Sequence, residues 1–186
     1  RREDEWALQY ELASSDLTPL KAGTYQGRIR YEIESGQIQK RFDFDIDIRV
    51  EPVFELSFTF PDGPVLFSKI FPGSGPQERS VLVTVDSNLQ KPYVVSQKTP
   101  GRLRNEHGNT LESGYFMLKT TAPDELKGGL KFPEFTPVSI EDEQTLFISD
   151  RQGSPAEFNV FYRLVPYSDM SPGHYQTEIT YSLGEI

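Results

Sequence analysis

Asp43, Asp45 and Asp47 alternate with apolar residues in "FDFDID", and three carboxylates so close in sequence invite a calcium site or paired acid–base chemistry. Strand geometry argues otherwise. Residues two apart on an extended strand lie ~7 Å from each other along one line, whereas Ca²⁺ needs about six to eight oxygens converging at about 2.5 Å. The row instead predicts a solvated sheet face, whose charge also blunts a sheet edge against unwanted pairing. The two histidines are no better placed for zinc. His107 stands beside Glu106 in "RLRNEHGNT" and His174 between Gly173 and Tyr175, with neither Glu-x-x-His nor His-x-His spacing. A Ser-His-Asp group stays open on chain order, because such groups meet only in space. No Gly-x-Ser-x-Gly elbow supplies a strained nucleophile, however, and no enzyme is expected. The glycine-rich "FPGSGPQERS" lacks both a Gly-Lys-Ser/Thr ending and a following helix, and reads as a turn. With no cysteine in the chain, disulfides, thiolate metal centres and cysteine nucleophiles are excluded. The expectation is no catalytic residue, no metal ligand and no cofactor.

Contact chemistry remains. Tyr93, Tyr115 and Tyr167 are candidates for stacking against the CH faces of a sugar, each with packing or turn structure as the competing role. Trp6, the only tryptophan, falls at the strand position matching Phe158 and is expected in a core. The loop "KTPGRLRNEHGN" (98–109) is long, polar and locally basic on an acidic chain. Its Arg102, Arg104, Asn105 and His107 are therefore the candidate contact residues, an ordinary solvated hairpin connection being the alternative.

The balance of 19 basic and 28 acidic residues leaves a formal charge of −9, which repels phosphate backbones and anionic lipid. Neither nucleic acid nor a membrane surface is expected as partner. No run approaches the ~18 apolar residues that a membrane-spanning helix needs, and "RREDEW" has no apolar segment behind it to act as a signal peptide. A chain that starts without Met is expected to be a mature form or an excised fragment.

The elements that must carry these residues alternate with period two. "QKRFDFDIDIRVEP" puts Phe42, Phe44, Ile46, Ile48 and Val50 on one side of a strand and Asp43, Asp45, Asp47 and Arg49 on the other. Further strands are predicted at 53–60, 79–87, 92–98, 115–121, 144–150 and 157–165. The 14 Gly and 14 Pro fall mostly between them, in turn-forming clusters such as "FPDGP" and "SDRQGSP". Many short strands without periodic helix predict two packed antiparallel sheets.

One phrase occurs twice. "EWALQYELASSDLTPLKAGTYQGRIRYEI" from Glu5 and "EFNVFYRLVPYSDMSPGHYQTEITYSL" from Glu157 share a strand ending in Tyr-x-Leu, an Asp-led loop, Gly-x-Tyr-Gln, and a second alternating strand with Tyr six residues on. The separation is 152 residues at Tyr10/Tyr162 and 150 at Tyr25/Tyr175, a change that a loop absorbs. A true structural repeat is predicted. Gly-x-Tyr at a strand start resembles the tyrosine corner of immunoglobulin-like sandwiches, where the ring packs in the core and the hydroxyl returns to upstream backbone. Gly23, Tyr25, Gly173 and Tyr175 are the expected corner residues, with Tyr31 and Tyr181 on the same face as their corners. Equivalent copies make residues 1–50 the closing strands of a first, incomplete module and 51–186 a second module, linked through "RVEPVF", in which Pro52 stiffens the connection. A three-stranded piece cannot easily enclose a core. Its missing strands were cut away, or it packs on the second module, or it pairs with a neighbouring chain.

At the closing hairpins, "LKAGTYQGRIRYEI" and "MSPGHYQTEITYSL" resemble the final strands of bacterial exported immunoglobulin-like modules of the fimbrial-subunit and spore-coat-U type. The likeness extends to "VTVDSNLQKPYVV" and covers about a quarter of the chain; the disulfide common in fimbrial subunits is missing. The resemblance implies export to the periplasm or cell surface, a place in a surface or envelope assembly, and strand exchange as a mode of assembly. The resulting expectation is an all-β, immunoglobulin-like antiparallel β-sandwich with an internal repeat of its closing strands. It would act as a non-enzymatic structural or adhesive component that associates with a protein partner or with itself, a carbohydrate-binding module being the alternative.

Overall fold

The computed structural model describes residues 9–11, 20–61, 63, 65–112, 114–123 and 125–186. These residues are all-β, without helix, and the chain divides into two compact units, Arg1–Val53 and Phe54–Ile186. Trp6 and Asp16 lie outside the described residues, and Gln9, Tyr10 and Glu11 carry no strand.

In the first unit β1 (Gly23–Ser35) and β2 (Ile38–Val50) pair antiparallel over their whole length, from Gly23 opposite Val50 to Ser35 opposite Ile38. Gly36 has φ +62° at the first of the two loop positions, where a type II′ hairpin turn needs a residue free to adopt positive φ. Because side chains alternate, this register sorts the ribbon into two unlike faces. Tyr25/Ile48, Ile29/Phe44 and Tyr31/Phe42 stand opposite one another on an apolar face, while Arg28/Asp45, Arg30/Asp43 and Glu32/Arg41 share the other.

The second unit is built from β3 (Phe54–Thr59), β4 (Phe67–Ile70), β5 (Gln77–Ser87), β6 (Tyr93–Lys98), β7 (Phe116–Thr121), β8 (Gly128–Leu130), β9 (Thr136–Pro137), β10 (Glu143–Ser149), β11 (Ala156–Leu164), β12 (Gly173–Tyr175) and β13 (Thr180–Glu185). One sheet runs β13-β6-β10-β8, a second β3-β5-β11-β7-β9, and β12 pairs with β4. All the strand pairings are antiparallel. Every second residue of β11 from Ala156 to Leu164 is buried, as a strand with one face on a core requires. The inner faces of the two larger sheets meet ring to ring: Phe147 of β10 lies 5.2 Å from Phe158 of β11, and Tyr93 of β6 lies 5.9 Å from Phe54 of β3. A bulge in β10 between Thr145 and Phe147 lets neighbouring Leu146 and Phe147 both be buried, which strict alternation forbids.

The two copies of the repeated phrase fold differently after the glycine. The first is the unbroken thirteen-residue β1, whereas the second is split into β12 and β13. Gly173 and Tyr175 pair with Ile70 and Phe67, Gln176 exchanges both backbone bonds with Arg104 at 3.0 Å, and Thr180 onward pairs with β6. The second copy is thus drawn from one pairing partner to another, while β2 accompanies the first along its full length.

Candidate functional site

Both Gly-x-Tyr phrases make the same local bond. The Tyr25 hydroxyl donates to the Lys21 carbonyl at 2.8 Å, and the Tyr175 hydroxyl to the Ser171 carbonyl at 2.7 Å, each four residues back. Gly23 and Gly173 have φ +151° and +155°, in a region that side chains rarely adopt. The surroundings differ. Tyr175 is buried in the core at 4% exposure, but Tyr25 is 37% exposed, which corrects the expectation that each corner ring packs in a core. The reason is positional: Tyr25 lies on the apolar face of a two-stranded ribbon, whereas Tyr175 lies where β12 and β4 close over the second unit.

The tyrosine six residues on from each corner also finds an equivalent partner. Tyr31 shares a hydroxyl–hydroxyl bond with Tyr10, and Tyr181 shares one of 2.6 Å with Tyr162. Tyr162 is fully buried and donates as well to Oε1 of buried Gln97 on β6, closing a network across the two sheets. Burial, reinforced by Tyr181, pushes the Tyr162 phenol well above its ordinary pKa, and burial raises Tyr181 too. Tyr31 is raised first by its bond to Tyr10 and only then by burial.

Each phenol pair borders an opening. In the second unit a cavity of about 370 Å³ is lined by Phe58, Phe116, Tyr162, Tyr175 and Tyr181. It lies where edge strands β3 and β13 approach, Phe58 and Tyr181 being 4.8 Å apart, and exposed Phe60 and Leu66 also line it. In the first unit a groove of about 710 Å³ runs along the ribbon past Tyr10, Ile29, Tyr31, Phe42, Phe44 and Ile46. Sequence reasoning missed the cavity; Gln97, a polar residue two places after Val95 on the inward face of β6, signals only the buried bond to Tyr162 at its border.

The 98–109 loop is more structural than its composition suggests. Leu103 and Leu111 are buried and bonded through backbone at 2.9 Å, closing a small hairpin. Asn105, expected to reach for a partner, is buried instead: its Oδ1 accepts from the backbone of His107 and Asn109, and its Nδ2 donates to the Pro172 carbonyl at 3.2 Å. Glu106 accepts from the His174 backbone at 2.8 Å, and its carboxyl pKa is lowered first by a bond from its own N–H and then by this one. The loop braces the Tyr175 corner. Arg102, Arg104 and His107 remain exposed on its outside.

Of the three candidate sugar-stacking tyrosines, Tyr93 is fully buried and its hydroxyl donates to the Ser154 carbonyl at 2.8 Å, so it offers no ring to a ligand. It shares the inward face of β6 with Val95 and Gln97, which is why it points to the core. Tyr115 and Tyr167 are half-buried and tilt toward each other with ring centres 4.3 Å apart. Their rings are largely occupied by one another. The aspartate row is exposed and largely paired with the neighbouring strand, Arg30 reaching Asp43 at 2.8 Å and Arg28 reaching Asp45 at 2.7 Å. Among the described residues, no three of His, Cys, Asp and Glu gather as a metal site, and no helix is long and apolar enough to cross a membrane. No family model, no curated protein and no solved structure matches this chain.

Proposed function

We propose that the chain is a non-enzymatic structural or adhesive component of a bacterial surface or envelope assembly, built from immunoglobulin-like sandwich modules in tandem. The observation that carries this reading is the recurrence, at matching positions of the repeated phrase, of two bonds: the Tyr25 and Tyr175 hydroxyls to the carbonyl four residues back, and the Tyr10–Tyr31 and Tyr162–Tyr181 pairs. A tyrosine near a strand start whose hydroxyl returns to upstream backbone is a hallmark of such sandwiches. Two of them in series suit a chain whose work is to extend and hold. Among the described residues β3 and β13 are the outermost strands of their sheets and flank an apolar opening, which supports assembly by pairing of sheet edges.

Antibodies raised against this chain should label intact cells of the source bacterium, or cells whose outer membrane alone has been opened. Labelling only after the cytoplasm is breached would overturn the reading.

A further inference from the structure

The apolar face of the β1–β2 ribbon is large and continuous, and Tyr10, bonded to Tyr31, is the one described residue from outside the ribbon that lines its groove. Phe42 and Phe44 are 44% and 54% exposed, and Tyr25, Ile33 and Tyr10 are exposed with them. Soluble chains rarely leave so much contiguous apolar surface open unless something docks there. The second unit indicates what kind of cover such a face takes. There the tyrosine equivalent to Tyr31 meets a phenylalanine from the opposing sheet, Phe58 lying 4.8 Å from Tyr181, and Tyr162 stacks at 5.6 Å on Phe116 of the neighbouring strand β7. The ribbon carries two phenylalanines of its own on the same face, Phe42 opposite Tyr31 and Phe44 opposite Ile29. A second ribbon turned face to face would supply the missing rings.

We infer that the β1–β2 ribbon docks on the same ribbon of a second copy of this chain, apolar face to apolar face, about a two-fold axis near the Ile29/Phe44 pair. That pair is the midpoint of the thirteen-residue ladder, so the axis leaves each half of one ribbon against the opposite half of the other.

Two quantities support this occupant over others. The first is area. At ~3.3 Å per residue the ribbon is ~43 Å long, and its face offers on the order of 500 Å² per copy, so a pair buries about 1,000 Å², at the lower bound for a specific interface. The second is charge. Between Gly23 and Val50 five Lys or Arg stand against five Asp or Glu, so the ribbon is formally neutral on a chain of net −9. All but Lys40 of these ten share the face away from the contact, six of them in cross-strand opposition as Arg28/Asp45, Arg30/Asp43 and Glu32/Arg41. Lys40, beside the turn, is the one charge on the contact face, so a charged partner has little there to recognise and a second copy meets little local repulsion.

The inference rests on the structural reading above only in needing no catalytic or ligand role for this face. Its test is separate, since cell labelling is silent on oligomeric state. Sedimentation of the full 186-residue chain from micromolar to a few hundred micromolar concentration should show a monomer–dimer equilibrium. Phe44→Asp should weaken it by at least about 100-fold, and Gln26→Lys, on the polar face, should leave it within about twofold. A monomer throughout the range, or a dimer untouched by Phe44→Asp, overturns the proposal. Since Phe44→Asp could disturb the ribbon itself, a second arm uses the cysteine-free background. A short bismaleimide should cross-link Ile29→Cys into a covalent dimer and leave Gln26→Cys monomeric; the reverse pattern overturns the face-to-face arrangement.

Discussion

Tyr162 shows how far one phenol can be committed to structure. Its ring stacks on Phe116, with planes 13° apart and centres 5.6 Å apart, while its hydroxyl bonds Gln97 and Tyr181. Burial raises its pKa, as it raises those of Tyr181 and Tyr93. In the unfolded chain these phenols ionise near pH 10, whereas in the folded chain they keep their protons to higher pH. Above about pH 10 the unfolded state therefore binds fewer protons than the folded one, and stability falls as pH rises. Below that value the contribution is fully present and flat. Urea unfolding midpoints should accordingly be steady through neutral pH and drop above about pH 10. Tyr162→Phe should lower stability at neutral pH by about 1–3 kcal/mol, because buried Gln97 loses its partner. The same variant should make the alkaline drop shallower. An unchanged alkaline limb would mean that Tyr162 titrates alike in both states.

The two corner elements set the same local geometry in different company. A Cβ at Gly173 would meet the Glu106 carboxylate at 2.9 Å and Asn105 at 3.0 Å, while at Gly23 nothing stands within 4 Å; both backbones are in a glycine-favouring conformation. Gly23→Ala should cost about 1–2 kcal/mol from backbone strain alone. Gly173→Ala should cost more, because it also pushes the 102–111 hairpin off the corner. Equal costs, read from urea midpoints and from the hydrogen-exchange protection of Asn109, would separate the hairpin from the corner's energetics. Much of this level was legible in sequence. The alternation in "EFNVFYRLV" and "RSVLVTV" marked β11 and β5, because a strand with one buried face cannot hide its period. Two-residue β9 and three-residue β8 are too short to show a period, whereas β10, predicted at 144–150, was legible despite the bulge that buries both Leu146 and Phe147. The split of the second copy into β12 and β13 was illegible for another reason: "GHYQTEITYSL" and "GTYQGRIRYEI" are locally alike, and only the distant partners Phe67, Arg104 and Gln97 decide where each stretch pairs. Asn105 was misread as a contact residue because a polar side chain that organises its own hairpin has the same composition as one awaiting a partner.

At the scale of the whole molecule, the charge of −9 and the neutral ribbon oppose each other, and their balance distinguishes kinds of association. A contact held by ion pairs weakens as salt is added. A contact between apolar ribbon faces has no attraction for salt to screen, and what salt removes is the repulsion between two acidic chains brought together. The screening length shrinks from about 10 Å at 0.1 M to about 3 Å at 1 M, so this repulsion, acting across the span of a domain, is largely removed over that range. The cross-strand pairs of Arg28 with Asp45 and Arg30 with Asp43 lie within one ribbon and are exposed, so their screening bears little on association. Self-association measured by sedimentation should therefore strengthen between low and high sodium chloride, and strengthen again as pH is lowered toward the isoelectric point near 4.8. Weakening with salt would place the contact on the ionic face of the ribbon or on the exposed arginines of the 102–111 hairpin. The apolar face of β1–β2 would then lose its role in joining one copy to the next.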